Sequence, residues 1–134
     1  GVEIAKKHGL NEKIIEFITS HHGTGTVQFF YRTFLNTNPD EEVDISEFTY
    51  PGPKPTNKEQ AVLMMADSVE AASRTLKAYT RETISELVEK IVSRQEEEDQ
   101  FSDADITFAD ITAVKEIFKN RLTNIYHARI EYPA

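Results

Sequence analysis

Cysteine and tryptophan are absent from the 134 residues, and methionine occurs only twice. Without cysteine there can be no disulfide framework, no thiolate zinc site and no cysteine nucleophile, which agrees with a reducing compartment. No apolar run approaches the roughly 18 residues that mark a membrane span, so the chain itself is expected to be soluble. Positive charge is scarce: 15 Lys and Arg stand against 23 Asp and Glu, a net charge of −8. The basic footprint that grips a nucleic-acid backbone is missing, and DNA or RNA polymers are not expected partners. Strict two-residue alternation of apolar side chains is also lacking, which argues against a β architecture. The length allows one core and leaves no room for a second. Since the chain opens with Gly1 and both methionines, Met64 and Met65, lie mid-chain, it is expected to be a piece of a longer protein.

What is present is helical spacing nearly throughout, and the class is all-α. Val2 to His8 reads as a short helix closed by Gly9. Asn11 then caps Glu12 to His22, with Ile14, Ile15 and Ile18 as the buried stripe and Gly23 as the stop. Thr26 to Leu35 reads as a third helix through Val27, Phe30, Tyr31 and Phe34, although those aromatics would also suit a strand. Between about 36 and 57 fall four of the five prolines (Pro39, Pro51, Pro53, Pro55), and no helix is expected there. A connection of that length is usually either functional or disordered. Lys58 to Leu76 is strongly periodic, with Val62, Met65, Ala66, Val69, Ala72 and Leu76 facing a core. Thr80 caps the next helix, which buries Ile84, Leu87, Val88, Ile91 and Val92 before an acidic run, Glu96 to Asp99, expected to be a solvated end. Thr107 and Asp110 form a capping box for the last helix, whose stripe is Ile111, Val114, Phe118, Leu122 and Ile125.

Few residues stand out as carriers of chemistry. His21 and His22 meet where a helix ends. Consecutive residues there can point about 100° apart, one towards a metal and its neighbour towards a substrate. A histidine at a helix C-terminus is also favoured simply by the macrodipole. Gly23, Thr24 and Gly25 would let backbone amides approach an anion, but no Gly-Lys-Ser/Thr follows and this is not a P-loop. Pro51, Pro53 and Pro55 hold Lys54 on a stiff arm that suits a phosphate contact, or is merely a rigid loop with a solvated lysine. Asp67 interrupts the apolar Met64, Met65 and Ala66 and shares a helical stripe with Leu63, Glu70 and Arg74. Burying such an aspartate is costly unless it is paired, hydrogen-bonded or metal-bound. Arg74 is either a phosphate contact two turns along or the partner of Glu70 in a surface i,i+4 pair. His8 and His127 are unaccompanied and receive no role.

Taken together, Ser20-His21-His22-Gly23-Thr24, Tyr50-Pro51-Gly52-Pro53-Lys54-Pro55 and Met65-Ala66-Asp67-Ser68-Val69-Glu70-Ala71-Ala72-Ser73-Arg74 form an ordered set. It resembles the carboxy-terminal part of the intracellular HD domain of the seven-transmembrane HD receptors, the PgpH-type cyclic di-AMP phosphodiesterases. The closing segment from Asp105 to Pro133 is similar to that family's terminus, so the likeness spans almost the whole chain.

The resemblance implies a helical metal-dependent phosphohydrolase fold with two divalent metals, iron or manganese, that cleaves a cyclic dinucleotide to a linear one. It further implies Asp67, His21 and His22 as metal ligands, His21 being favoured over His22, with Thr24, Lys54 and Arg74 as substrate-side candidates by chemistry and position. The family's first histidine, its adjacent His-Asp pair and its next histidine would lie upstream of Val2, and no such pair is present. Two histidines and one aspartate fall short of the roughly four or more ligands each metal wants. The chain is therefore expected to be a partial HD domain lacking its N-terminal helices, inactive alone and retaining no metal. Apolar surface left uncovered would favour self-association. The parent is expected in the bacterial inner membrane, with this domain on the cytoplasmic face. Two alternatives are an HD phosphohydrolase acting on another nucleotide and a noncatalytic helical module binding a nucleotide or protein.

Overall fold

The computed structural model describes residues 1–130, and within them the chain is all-α. Six α-helices follow one another: α1 (Val2–Lys7), α2 (Glu12–Ser20), α3 (Gln28–Thr37), α4 (Lys58–Ser73), α5 (Arg81–Glu97) and α6 (Phe108–Ile130). One 3₁₀ turn, Ile45–Phe48, interrupts the proline-rich connection. Three helices build the core. Met64, Met65 and Val69 of α4 meet Ile84, Val88 and Val92 of α5, and Ile111 and Leu122 of α6 close the layer, with Phe101 filling in from the connecting loop. The hairpin of α1 and α2 packs on α4 through α2, so the end of α2 is carried to the middle of α4.

The helix starts follow from local chemistry. Asn11, Asn57 and Thr80 each accept a hydrogen bond from a first-turn amide. At α6 the reciprocal pair forms as expected: Asp110 N donates to Thr107 Oγ1 and Thr107 N donates to Asp110 Oδ2, both at 3.0 Å. Each such cap satisfies amides that have no intrahelical acceptor.

Several boundaries differ from the sequence reading. The helix α4 stops at Ser73, three residues short of Leu76, and Leu76 packs on the core from the turn that follows. Ile14 is 47% exposed while Ile15 is buried, because only one side of α2 has α4 to pack against. Ile125 of α6 is likewise exposed. In α3 the helical reading of the aromatics holds and the strand alternative does not. Tyr31 and Phe34 lie against Phe48 at ring distances of 5.7 and 5.5 Å from within a helix, while Thr26, just before it, makes one antiparallel bridge to Thr49. Among the described residues no helix is long and apolar enough to cross a membrane.

Candidate metal centre

The functional geometry begins at the turn that ends α2. His21 N still donates to Phe17 O, and Gly23 N donates to Ser20 O at 2.9 Å, so both histidines sit on the last turn of backbone as it leaves the helix. Gly23 is buried with φ +53°, a left-handed conformation in which side chains are disfavoured. A Cβ there would also run into the Gln100 amide and the Met64 methyl.

Two distant segments clamp this turn. From the loop after α5, Gln100 accepts from Thr24 N at 2.8 Å and donates to Thr24 Oγ1 and Glu98 O at 3.0 and 2.8 Å. Glu98 Oε2 accepts from Thr26 N at 3.4 Å. From the proline-rich connection, Phe48 O accepts from Val27 N and Gly25 O accepts from Tyr50 N, 2.6 and 3.0 Å. The long connection is thus neither structureless nor idle: it forms one wall of the turn.

His21, His22 and Asp67 converge here, with one ligand atom from each within 4.8 Å of the others. The two imidazoles do not diverge as residues within a regular helix would. Their ring centroids lie 3.9 Å apart, tilted by 40°. His21 Nδ1 is 2.7 Å from Ile18 O. A carbonyl can only accept, so the proton sits on Nδ1 and the Nε2 lone pair is left for a ligand. His22 stacks on Tyr50 at 4.3 Å and 13°. Desolvation by partial burial and the adjacent His21 hold His22 below the ordinary histidine pKa, against the opposite pull of Asp67. A lowered pKa keeps the imidazole neutral, as metal ligation demands.

The other expected site residues have these places. Thr24 is held by Gln100. Lys54 Nζ reaches Ser102 Oγ at 3.3 Å. Arg74 binds Glu70 on the surface through Nε and Nη2 at 2.9 and 2.7 Å. The residues not anticipated belong to a cavity of about 150 Å³ that His21 and His22 share with Tyr50, Arg94 and Glu98. Arg94 Nε contacts Glu98 Oε1 at 3.4 Å, and Gln95 Nε2 donates to Ser68 Oγ at 2.8 Å. Glu98 is half-buried and turned inward, the one exception in an acidic run whose Glu96, Glu97 and Asp99 are exposed as expected. The spacing of Ile91, Arg94, Gln95 and Glu98 along one helical face was the available signal for it.

Over 133 residues, 99% of its length, the chain is 35% identical to the cyclic-di-AMP phosphodiesterase PgpH of Bacillus subtilis (strain 168). It is 38% identical over the same share to PgpH of Listeria monocytogenes serotype 1/2a. Its fold superposes on the crystal structure of the L. monocytogenes PgpH HD domain in complex with cyclic-di-AMP with a TM-score of 0.88 at 35% identity. The chain is homologous to part of the PgpH HD domain. It covers 57% of the crystallised PgpH HD domain chain and 18% of the length of each full PgpH relative. No family model matches it.

Three donors are the right chemical kind for a divalent transition metal, two imidazoles and a carboxylate. His21 in addition has the outer hydrogen bond that typically orients a ligating imidazole. The group therefore fits a share of such a centre, and is too small a set for two ions.

Proposed function

We propose that this chain is the carboxy-terminal part, residues 1–134 with its proline-rich loop at about 36–57, of an HD domain that hydrolyses cyclic di-AMP to a linear dinucleotide. The observation that carries this is the convergence of His21, His22 and Asp67 from two separate helices within 4.8 Å, in a chain that is similar along its whole length to two phosphodiesterases. His21 through Nε2, together with His22 and Asp67, would hold divalent metal, iron or manganese. When bound, two such ions would polarise the phosphoryl group and lower the pKa of a water.

The chain's own residues do the positioning. Ile18 O fixes the His21 tautomer, Tyr50 stacking holds the His22 ring in place, and desolvation with the adjacent His21 lowers the His22 pKa. Gln100 holds Thr24 in the turn that follows the histidines, with Thr24, Lys54 and Arg74 serving on the substrate side. Since three donors do not complete two coordination spheres, the remaining ligands come from the rest of the domain. This segment alone retains no tight metal and is inactive, and its exposed Ile14 and Leu63 beside Asp67 favour self-association. The full protein is anchored in the bacterial inner membrane with this domain on the cytoplasmic face.

The test is Asp67→Ala in the full-length protein, with metal content and cyclic di-AMP turnover measured together. Both should fall, turnover by about 100-fold or more, a drop of the size seen when groups supporting a metal site are removed. Undiminished turnover in the variant would end the proposal.

A further inference from the structure

We propose that the cavity beside His22 takes one adenine of the dinucleotide and reads its amino edge through Arg94 and Glu98. This rests on the cyclic di-AMP reading above and adds to it the residues that would choose the base.

Size limits the occupant first. A volume of about 150 Å³ is that of a cavity known to admit a single benzene ring, so a flat base entering from the open side fits and a whole dinucleotide does not. The walls fit the same guest. Met64 and Ile91 offer apolar faces, and the His22–Tyr50 stack stands at the edge next to the metal-ligand group. The base would then lie beside the phosphate that the His/His/Asp group addresses.

Polarity narrows the choice further. Arg94 and Glu98 lie one turn apart on the cavity wall, their side chains 31% and 27% exposed. Arg94 contacts Glu98 through Nε, which keeps both Nη groups as donors for a guest. Each Glu98 oxygen makes a single long bond of 3.4 Å, to Arg94 or to Thr26 N, so accepting capacity remains. A phosphate would face the Glu98 carboxylate at close range and be repelled. An aminopurine edge instead sets an exocyclic N–H₂ donor beside a ring-nitrogen acceptor. Carboxylates accept from base amines and arginine donates to ring nitrogens in the same manner elsewhere. On the edge formed by the exocyclic group and N7, hypoxanthine sets a carbonyl where adenine has its amine, so an oxygen would be turned towards Glu98 and the carboxylate left without a donor.

The experiment is competition between cyclic di-AMP and cyclic di-IMP, its hypoxanthine counterpart, in one mixture with the full-length protein. The readout is the ratio of the two kcat/KM values. Partial unfolding lowers both rates alike and leaves that ratio unmoved. Wild type should favour cyclic di-AMP by at least about tenfold, the worth of one well-made polar contact. Glu98→Ala should bring the ratio close to unity, and Glu98→Gln, which keeps an accepting oxygen, should retain most of the preference. A ratio near unity in the wild type overturns the pocket even if Glu98→Ala fails to fold, and leaves the phosphodiesterase reading standing. A preference that survives in Glu98→Ala overturns the assignment to Glu98. Hydrolysis of neither dinucleotide by the wild type overturns the underlying reading, and the pocket with it.

Discussion

Replacing Gly23 by alanine tests whether the histidine turn is built as described, and Gly9 supplies the internal control. Both glycines lie at positive φ, +53° and +68°. Each therefore incurs the left-handed penalty when a Cβ is added, about 1–2 kcal/mol. Nothing lies within 4 Å of a Cβ at Gly9, so that cost stands alone there. At Gly23 the added carbon meets the Gln100 amide and the Met64 methyl, both of which belong to residues almost wholly buried. Overpacking of a closed site costs about 1–3 kcal/mol. Displacing the Gln100 amide loosens its bonds to Thr24 N, Thr24 Oγ1 and Glu98 O, at about 1 kcal/mol for each bond lost. Gly23→Ala should therefore cost about 3–5 kcal/mol against about 1–2 for Gly9→Ala, a large share of an ordinary domain's stability. Urea unfolding of the complete HD domain measures both, with a fall in midpoint at constant slope. Equal losses at the two positions would refute the clamp, because they would leave only the backbone term.

Two further outcomes follow from the core and from one ion cluster. Met65→Ala, at a fully buried position on α4, should destabilise the domain by about 2–5 kcal/mol in the same urea assay; a change below about 1 kcal/mol would contradict the packing. Glu89 joins Lys115 at 3.0 Å and Lys119 at 2.8 Å, and hydrogen bonds from Lys119 and then Lys115 hold its carboxyl below the ordinary range. A depressed folded-state pKa gives stability that is present above the unfolded value and lost as pH falls through the folded one. Thermal midpoints of Glu89→Gln and wild type should thus differ most near neutral pH and converge in acid. The gap should stay within about 1 kcal/mol, since Glu89 is 44% exposed and screened by solvent. A gap that widened on acidification would refute the sign.

The sequence by itself determined the local features. Helix starts at Asn11, Thr80 and Thr107, the break at Gly23, the all-α class and the stripe Ile84, Val88, Val92 depend on neighbours within one or two turns, and such chemistry is written in consecutive residues. The proline-rich connection was legible as non-helical, but its 3₁₀ turn and its bridge from Thr49 to Thr26 needed a partner segment. Likewise His21, His22 and Asp67 could be named as candidates from residue type, whereas their approach to one another depends on α2 packing across α4. Gln100 was invisible beforehand, since its partner Thr24 is 76 residues away and a glutamine after an acidic run carries no periodic signal. Glu98 was misjudged for the same reason. Its charge predicts solvent; Arg94, one turn back along the same helix, meets one oxygen, and only the return of the chain beside α5 brings the Thr26 amide to the other and makes an inward carboxylate tolerable. Burial and long-range pairing are properties of the assembled chain, and tertiary structure alone decided them.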